Sequence, residues 1–156
     1  MFRSDRGSVS LWVVIFAFVA FALLILVVDG GQEMNAKSRA ADIAEQAARA
    51  AADDINVPAL RAGTVQIQQA ACDAGGPADS LVQTYAKGIG VTASMTNPNG
   101  GPPCQVETIN GVPAVQVWVQ VQMTPTFPIP PFTTITAQTS ETAYLACGSD
   151  TKRTAC

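Results

Sequence analysis

The sequence predicts an α+β fold: a single amino-terminal transmembrane helix continues into a long amphipathic helix, which packs on a small, mainly antiparallel β-sheet. Three observations predict this class. Residues 9–28 are apolar except for Ser10. Residues 36–55 carry small and branched apolar side chains at the 3.6-residue helical period. Residues 114–123 alternate between apolar residues and mostly glutamine, the two-residue period of a half-buried strand.

The apolar segment has twenty residues, which matches the ~20 that a helix needs to cross a bilayer core of ~30 Å. A buried core helix does not fit, because a small soluble domain cannot enclose so long an apolar run. A cleaved secretory signal is an alternative. Its apolar region usually spans only ~7–15 residues and precedes a small-residue cleavage motif, whereas Asp29, Gly30 and Gly31 follow here. We therefore expect a retained membrane anchor.

The charges around the span predict its orientation. Arg3 and Arg6 precede it, and the positive-inside rule then places the amino terminus in the cytoplasm. Lys37 and Arg39 on the far side oppose this assignment in part. With this orientation, all residues from Asp29 onward lie outside the cytoplasm.

The second half of the helix is amphipathic. Gly30 and Gly31 mark a possible bend, and the helix is expected to end at residues 56–58, because the residue before a proline avoids the α region. Acidic, basic and amide side chains occupy the outer arc of this half. The inner face carries Ala36, Ala40, Ala44, Ala47, Ala51 and Ile55.

The remaining chain is predicted to be rich in strands. Expected strands cover residues 64–71, 90–96, 104–109, 114–123 and 133–145, with one or two helical turns at 79–86 capped by Asp79 or Ser80. Asn110-Gly111 is the dipeptide favoured in two-residue hairpin turns. We expect the apolar strand face to pack on the helix, joining Val115, Val117, Val119 and Val121 to Ala40, Ala44, Ala47 and Ala51.

Four cysteines, Cys72, Cys104, Cys147 and Cys156, lie beyond the span and none lies before or within it. An even number fits disulfides in an oxidising compartment. Three connectivities are possible, and we favour Cys72–Cys104 with Cys147–Cys156.

Composition disfavours several functions. The chain has no histidine, so the commonest general base and metal ligand is missing. Its net charge is −3, and it has no basic patch for nucleic acid. We expect no catalysis, no cofactor, no metal and no small-molecule substrate. Only five charged residues lie between positions 62 and 147; the surface there is either made to pack against neighbours or is an ordinary exported sheet.

The first third of the chain resembles a known family. The leader at residues 6–10 (RGSVS), the apolar run, the exit at 28–31 (VDGG) and the segment at 39–52 (RAADIAEQAARAAA) are similar to the TadE/TadG-like proteins. These are pilin-like proteins of tight-adherence (Flp-type) pilus assembly in bacteria. The resemblance implies a minor pilin or pseudopilin that works beside a secretion ATPase, a membrane platform and a major pilin.

The resemblance also raises the question of leader cleavage between Gly7 and Ser8. Members that a prepilin peptidase cleaves have a glutamate at the fifth mature position. Counted from Ser8, that position is Trp12 here, which argues against cleavage after Gly7.

The predicted organisation is a cytoplasmic leader (1–8), a transmembrane helix (9–28), its extracytoplasmic extension (29–56), a β-rich exported domain (57–147) and a tail (148–156). The function expected is a non-enzymatic structural part of a tight-adherence pilus or a related secretion apparatus. Its partners would be the membrane, other pilins and the assembly machinery. The alternative is a membrane-anchored binding module of the cell envelope.

Overall fold

The computed structural model describes residues 6–126, 128 and 133–145, with side chains described from residue 10 onward. It confirms the α+β class. The elements in chain order are α1 (Arg6–Ala52), α2 (Val57–Arg61), a 3₁₀ turn (Gln69–Cys72), α3 (Pro77–Ile89), β1 (Thr92–Met95), β2 (Cys104–Ile109), β3 (Val112–Met123) and β4 (Ile135–Tyr144).

Helix α1 has 47 residues, which makes it ~70 Å long at a rise of ~1.5 Å per residue. It continues through Gly30 and Gly31 without leaving helical conformation. It ends at Ala52, earlier than the sequence predicted. Asn56 starts α2 instead of ending α1: its side-chain oxygen accepts a hydrogen bond from the Ala59 amide at 3.1 Å. Pro58 lies in the first turn of α2, where its missing N–H has no cost.

The strand predicted at residues 64–71 is wrong. Ile67 makes one isolated bridge with Ile55, and a 3₁₀ turn follows. The Asn56 amide donates to the Gln66 carbonyl at 2.8 Å, and the Gln68 amide donates to the Asp54 carbonyl at 2.9 Å. The alternating apolar and polar pattern of residues 64–71 arises because Ile67 is buried in the core while its neighbours are exposed or half-buried. The pattern does not reflect continuous hydrogen bonding to a neighbouring strand.

Helix α3 is longer than predicted, and its cap is different. Gly76 is the N-cap, and Asp79 and Ser80 lie inside the first turn, where both bond to Gly75. A side chain at position 76 does not fit, because a Cβ there would lie 2.5 Å from the Ala70 carbonyl oxygen.

The sheet is antiparallel and is built around β3. Strand β4 pairs along one edge of β3, from Ala114–Tyr144 to Met123–Ile135. The other edge is shared end to end by β2 and β1. The predicted β2–β3 hairpin is confirmed, with positive φ at Asn110 (53°) and Gly111 (81°) as its two-residue turn requires.

The core lies on one face of this sheet. There the carboxy-terminal half of α1, called the upper half below, packs on β3 and β4, and α3 packs on α1 and β1. Among the described residues, the largest fully buried side chains are Ile43, Val82 and four valines of β3. Alanines supply most of the remaining core. Because alanine is short, helix and sheet can approach closely at native packing density.

Candidate functional site: a helix with an exposed apolar half and a buried alanine half

The lower half of α1 exposes nearly all of its apolar surface. Its most apolar 18-residue window has a mean hydropathy of 3.2, and none of that window is buried. Phe18 is 79% exposed and Trp12 is 71% exposed. Apolar patches of this extent on a soluble surface mark contact with a membrane or a partner. The other exposed large side chains of this half are Leu11, Val13, Val14, Ile15, Phe16, Val19, Phe21, Leu23, Leu24, Leu26, Val27 and Val28.

The upper half has the opposite character on one face. Ala40, Ala44, Ala47 and Ala51 are all 0% exposed, and so are Val115, Val117, Val119 and Val121. All eight lie in one hydrophobic cluster, together with Ile43 and side chains of α3. The structure therefore brings together the two faces that the sequence singled out for helix–sheet packing.

Polar side chains join helix and sheet just above the apolar half. The Gln32 side chain donates to the Thr126 hydroxyl, and its Oε1 accepts from the Thr126 amide at 3.1 Å. No sequence pattern indicates this contact, because the two residues are 94 positions apart. It fixes the segment that follows β3 to the helix, where the chain leaves the apolar segment. A cleft of about 570 Å³ lies beside it, lined by Asp29, Glu33, Pro125 and neighbouring residues.

The outer arc of α1 is charged and exposed. Lys37 Nζ lies 2.8 Å from Glu33 Oε1, and the hydrogen bond and positive charge of Lys37 lower the pKa of Glu33 from its ordinary value of 4.5. Arg49 pairs with Glu45 one turn apart. These exposed pairs contribute little to stability. In a further exposed contact, Gln46 Nε2 donates to the Tyr85 hydroxyl at 2.9 Å and joins α1 to α3.

A disulfide links Cys72 to Cys104, as the sequence predicted. It ties the 3₁₀ turn before α3 to the first residue of β2. The predicted partners Cys147 and Cys156 lie outside the described residues. Gly7 and Ser8 lie within the first turns of α1, and their predicted role in leader cleavage stays a prediction. Within the described part of the chain, no cluster of acidic and cysteine side chains has the arrangement of a metal site.

These features define a class: a candidate single-span membrane protein whose one long helix carries a small α+β domain at its far end. Residues 7–54 match the family model described as putative Flp pilus-assembly TadE/G-like. The match covers about a third of the chain and nearly all of α1, and it confirms the resemblance seen in the sequence. No curated protein and no solved structure matches the chain.

Proposed function

We propose that the protein is a structural component of a tight-adherence pilus or a related secretion apparatus, in the role of a minor pilin or pseudopilin. The observation that carries the proposal is the division of α1. The family match coincides with a helix that is apolar all round in one half and packed on its own sheet in the other. A subunit of this kind can be held in a bilayer before assembly, and its apolar half can then move from contact with lipid to contact with the helices of other subunits.

The mechanism we propose is mechanical. The apolar half anchors the subunit by length and hydropathy. Alanines at positions 17, 20 and 22 allow neighbouring helices to approach closely in lipid, where association depends on packing and not on the hydrophobic effect. The upper half transmits mechanical force to the α+β domain through two contacts. One is the Gln32–Thr126 contact. The other, which we call the alanine–valine seam, is the packing of the buried alanines of α1 on the buried valines of β3: Ala40, Ala44, Ala47, Ala51, Val115, Val117, Val119 and Val121.

The orientation in this proposal is amino terminus in the cytoplasm and α+β domain outside it. Arg3 and Arg6 before the span favour it. The Cys72–Cys104 disulfide favours it independently, because disulfides persist in oxidising compartments and are rare in the cytoplasm.

The test is complementation in the bacterium that encodes the chain. Deletion of the gene should abolish surface pili or adherence, and the wild-type chain should restore them. Immunogold labelling of sheared filaments would then separate a subunit of the filament from a subunit of the basal machinery. Normal piliation in the deletion strain, with the protein absent from filament and assembly fractions, would refute the proposal.

A membrane-anchored binding module is the second candidate function. The observation that favours it is the outer face of the sheet, which is polar, almost without charge and not covered by any described helix.

A further inference from the structure

The outer face of the sheet has an unusual composition. Residues that pair directly across antiparallel strands share a face, so the register defines its members. Around Trp118 these are Gln116 and Gln120 on the same strand, Ser140 and Thr142 on β4, and Gln105 on β2. Glu107 is the one charged residue that the described strands place on this face.

Trp118 lies at the centre of this surface, which we call the glutamine face. Its backbone amide donates to the Pro103 carbonyl at 2.8 Å, and its carbonyl accepts from the Thr96 amide at 3.2 Å. It therefore lies where β1 and β2 meet end to end, with β4 on its other side. The core does not need this indole, because Val117 and Val119 on either side fill the buried face. Trp118 itself is half-buried, and part of it reaches solvent.

We infer that the glutamine face binds an uncharged polysaccharide of β-linked pyranose rings, stacked on the Trp118 indole. The face of an aromatic ring is electron-rich and attracts positively polarised edges, such as the C–H groups on the flat side of a sugar with equatorial substituents. Glutamine amides both donate and accept hydrogen bonds, as sugar hydroxyl and acetamido groups do. The indole would stack on the face of the sugar ring, and the flanking amides would form hydrogen bonds with the substituents of that sugar.

The amides are suitably placed for this role. Gln138 Nε2 donates to Gln120 Oε1 at 2.7 Å, which orients both side chains across the strand pair. This leaves the Gln120 amide N–H groups and the Gln138 carbonyl for a ligand. From Gln116 to Gln120 the strand covers roughly 13 Å at ~3.3 Å per residue, enough to follow a short run of linked sugars.

Other occupants fit the face less well. Interfaces between copies of one chain are more apolar than the rest of a protein surface, about 65% by area, whereas amide and hydroxyl groups surround a single indole on this face. An anionic polymer or a phospholipid surface would need lysine or arginine, and the described strands place neither on this face. This inference goes beyond the proposed function. Glycan binding is measured on purified protein and the pilus role by complementation in cells, so one proposal can fail while the other holds.

The test uses the full chain in lipid nanodiscs, without sugar-based detergents that would compete for the site. The chain has two tryptophans, so the variant Trp12→Phe leaves Trp118 as its single tryptophan, which can be excited selectively at wavelengths where tyrosine does not absorb. Titration with N-acetylchitohexaose should change its emission saturably and protect it from acrylamide quenching. Anionic polygalacturonate should do neither.

Variants localise the site. Trp118→Ala should weaken binding about tenfold or more by calorimetry, equivalent to about 1.4 kcal/mol or more. Gln120→Ala should also weaken it, and Trp118→Phe should keep part of the affinity because a ring remains. Gln66→Ala, at an exposed glutamine outside the sheet, is the matched control and should bind as wild type. Protease resistance shows that each variant is folded.

Three results would overturn the inference. One is a Trp118 emission that does not respond to N-acetylchitohexaose. Another is unchanged affinity in folded Gln120→Ala and Trp118→Phe. The last is protection of Trp118 that depends on protein concentration without glycan, which would mean that a second copy covers the face.

Discussion

The alanine–valine seam makes a sharp prediction at Ala47. This residue is fully buried between α1 and the sheet. Ala47→Gln adds volume to a packed seam, and overpacking of this kind costs about 1–3 kcal/mol. Ala47→Glu adds nearly the same volume and a carboxylate without a partner, for which burial costs several kcal/mol more. Domains of this size are stable by only ~5–15 kcal/mol, so we expect the glutamate variant to lose the folded domain and the glutamine variant to keep it.

Two matched controls separate the seam from the helix. Ser38 is exposed on the same helix, so Ser38→Glu introduces the same carboxylate without burial and should leave stability unchanged. Glu45→Ala removes the ion pair with Arg49, whose side chains are 52% and 68% exposed. An exposed pair of this kind contributes about 0.3–0.5 kcal/mol at most.

The assay is protease resistance of the membrane-embedded protein, followed by urea unfolding of the purified variants. The difference between Ala47→Glu and Ala47→Gln should shrink at low pH. Burial raises the pKa of the introduced carboxyl in the folded state, so the penalty grows as pH rises above the unfolded value of ~4.3 and disappears below it. If Ala47→Glu is as resistant as wild type at pH 7, α1 does not pack on this sheet.

Three further predictions concern topology, cysteines and charge. Alkaline phosphatase fused after Leu60 should be active, and a cytoplasmic reporter there inactive; the reverse pattern would invert the topology. Denatured, unreduced protein should show no free thiol if both predicted pairs form. Reduction of Cys72–Cys104 should cost ~3–4 kcal/mol on the chain-entropy model, and four labelled thiols before reduction would contradict the pairing. Lys37→Ala should raise the pKa of Glu33 toward 4.5, followed by NMR. Because the pKa of Glu33 is lower in the folded state, the ion pair with Lys37 stabilises the fold at pH values above the unfolded pKa, and this stabilisation is lost as pH falls through the folded pKa. A Glu33 pKa that does not change in Lys37→Ala would show that Lys37 does not lower it.

Sequence predicted those features that depend on long, regular patterns. Helix α1 and strand β3 have strict periods, so their buried faces, including Ala47 and Val119, could be named in advance. The hairpin at Asn110-Gly111 was predictable because few residue pairs adopt two successive positive φ angles.

The features that the sequence predicted wrongly depend on tertiary context. The alternation at residues 64–71 is also the pattern of a segment that buries one residue, Ile67, and makes a single bridge. Asp79 has the chemistry of an N-cap, but the close approach of the chain at Gly76 moves the cap three residues earlier. The Gln32–Thr126 contact joins residues 94 positions apart, and neither residue lies in a pattern that would indicate a partner.

The central claim is that one helix serves two environments, lipid below and its own sheet above. Photolabelling in liposomes with an apolar, carbene-generating reagent tests it most directly, because the label reacts only with side chains that contact lipid. Mass spectrometry should find labels along residues 11–28 and none on the buried face at Ala40, Ala44, Ala47 and Ala51. Labelling of that alanine face, or labelling of residues 11–28 no stronger than that of the exposed sheet, would contradict the claim.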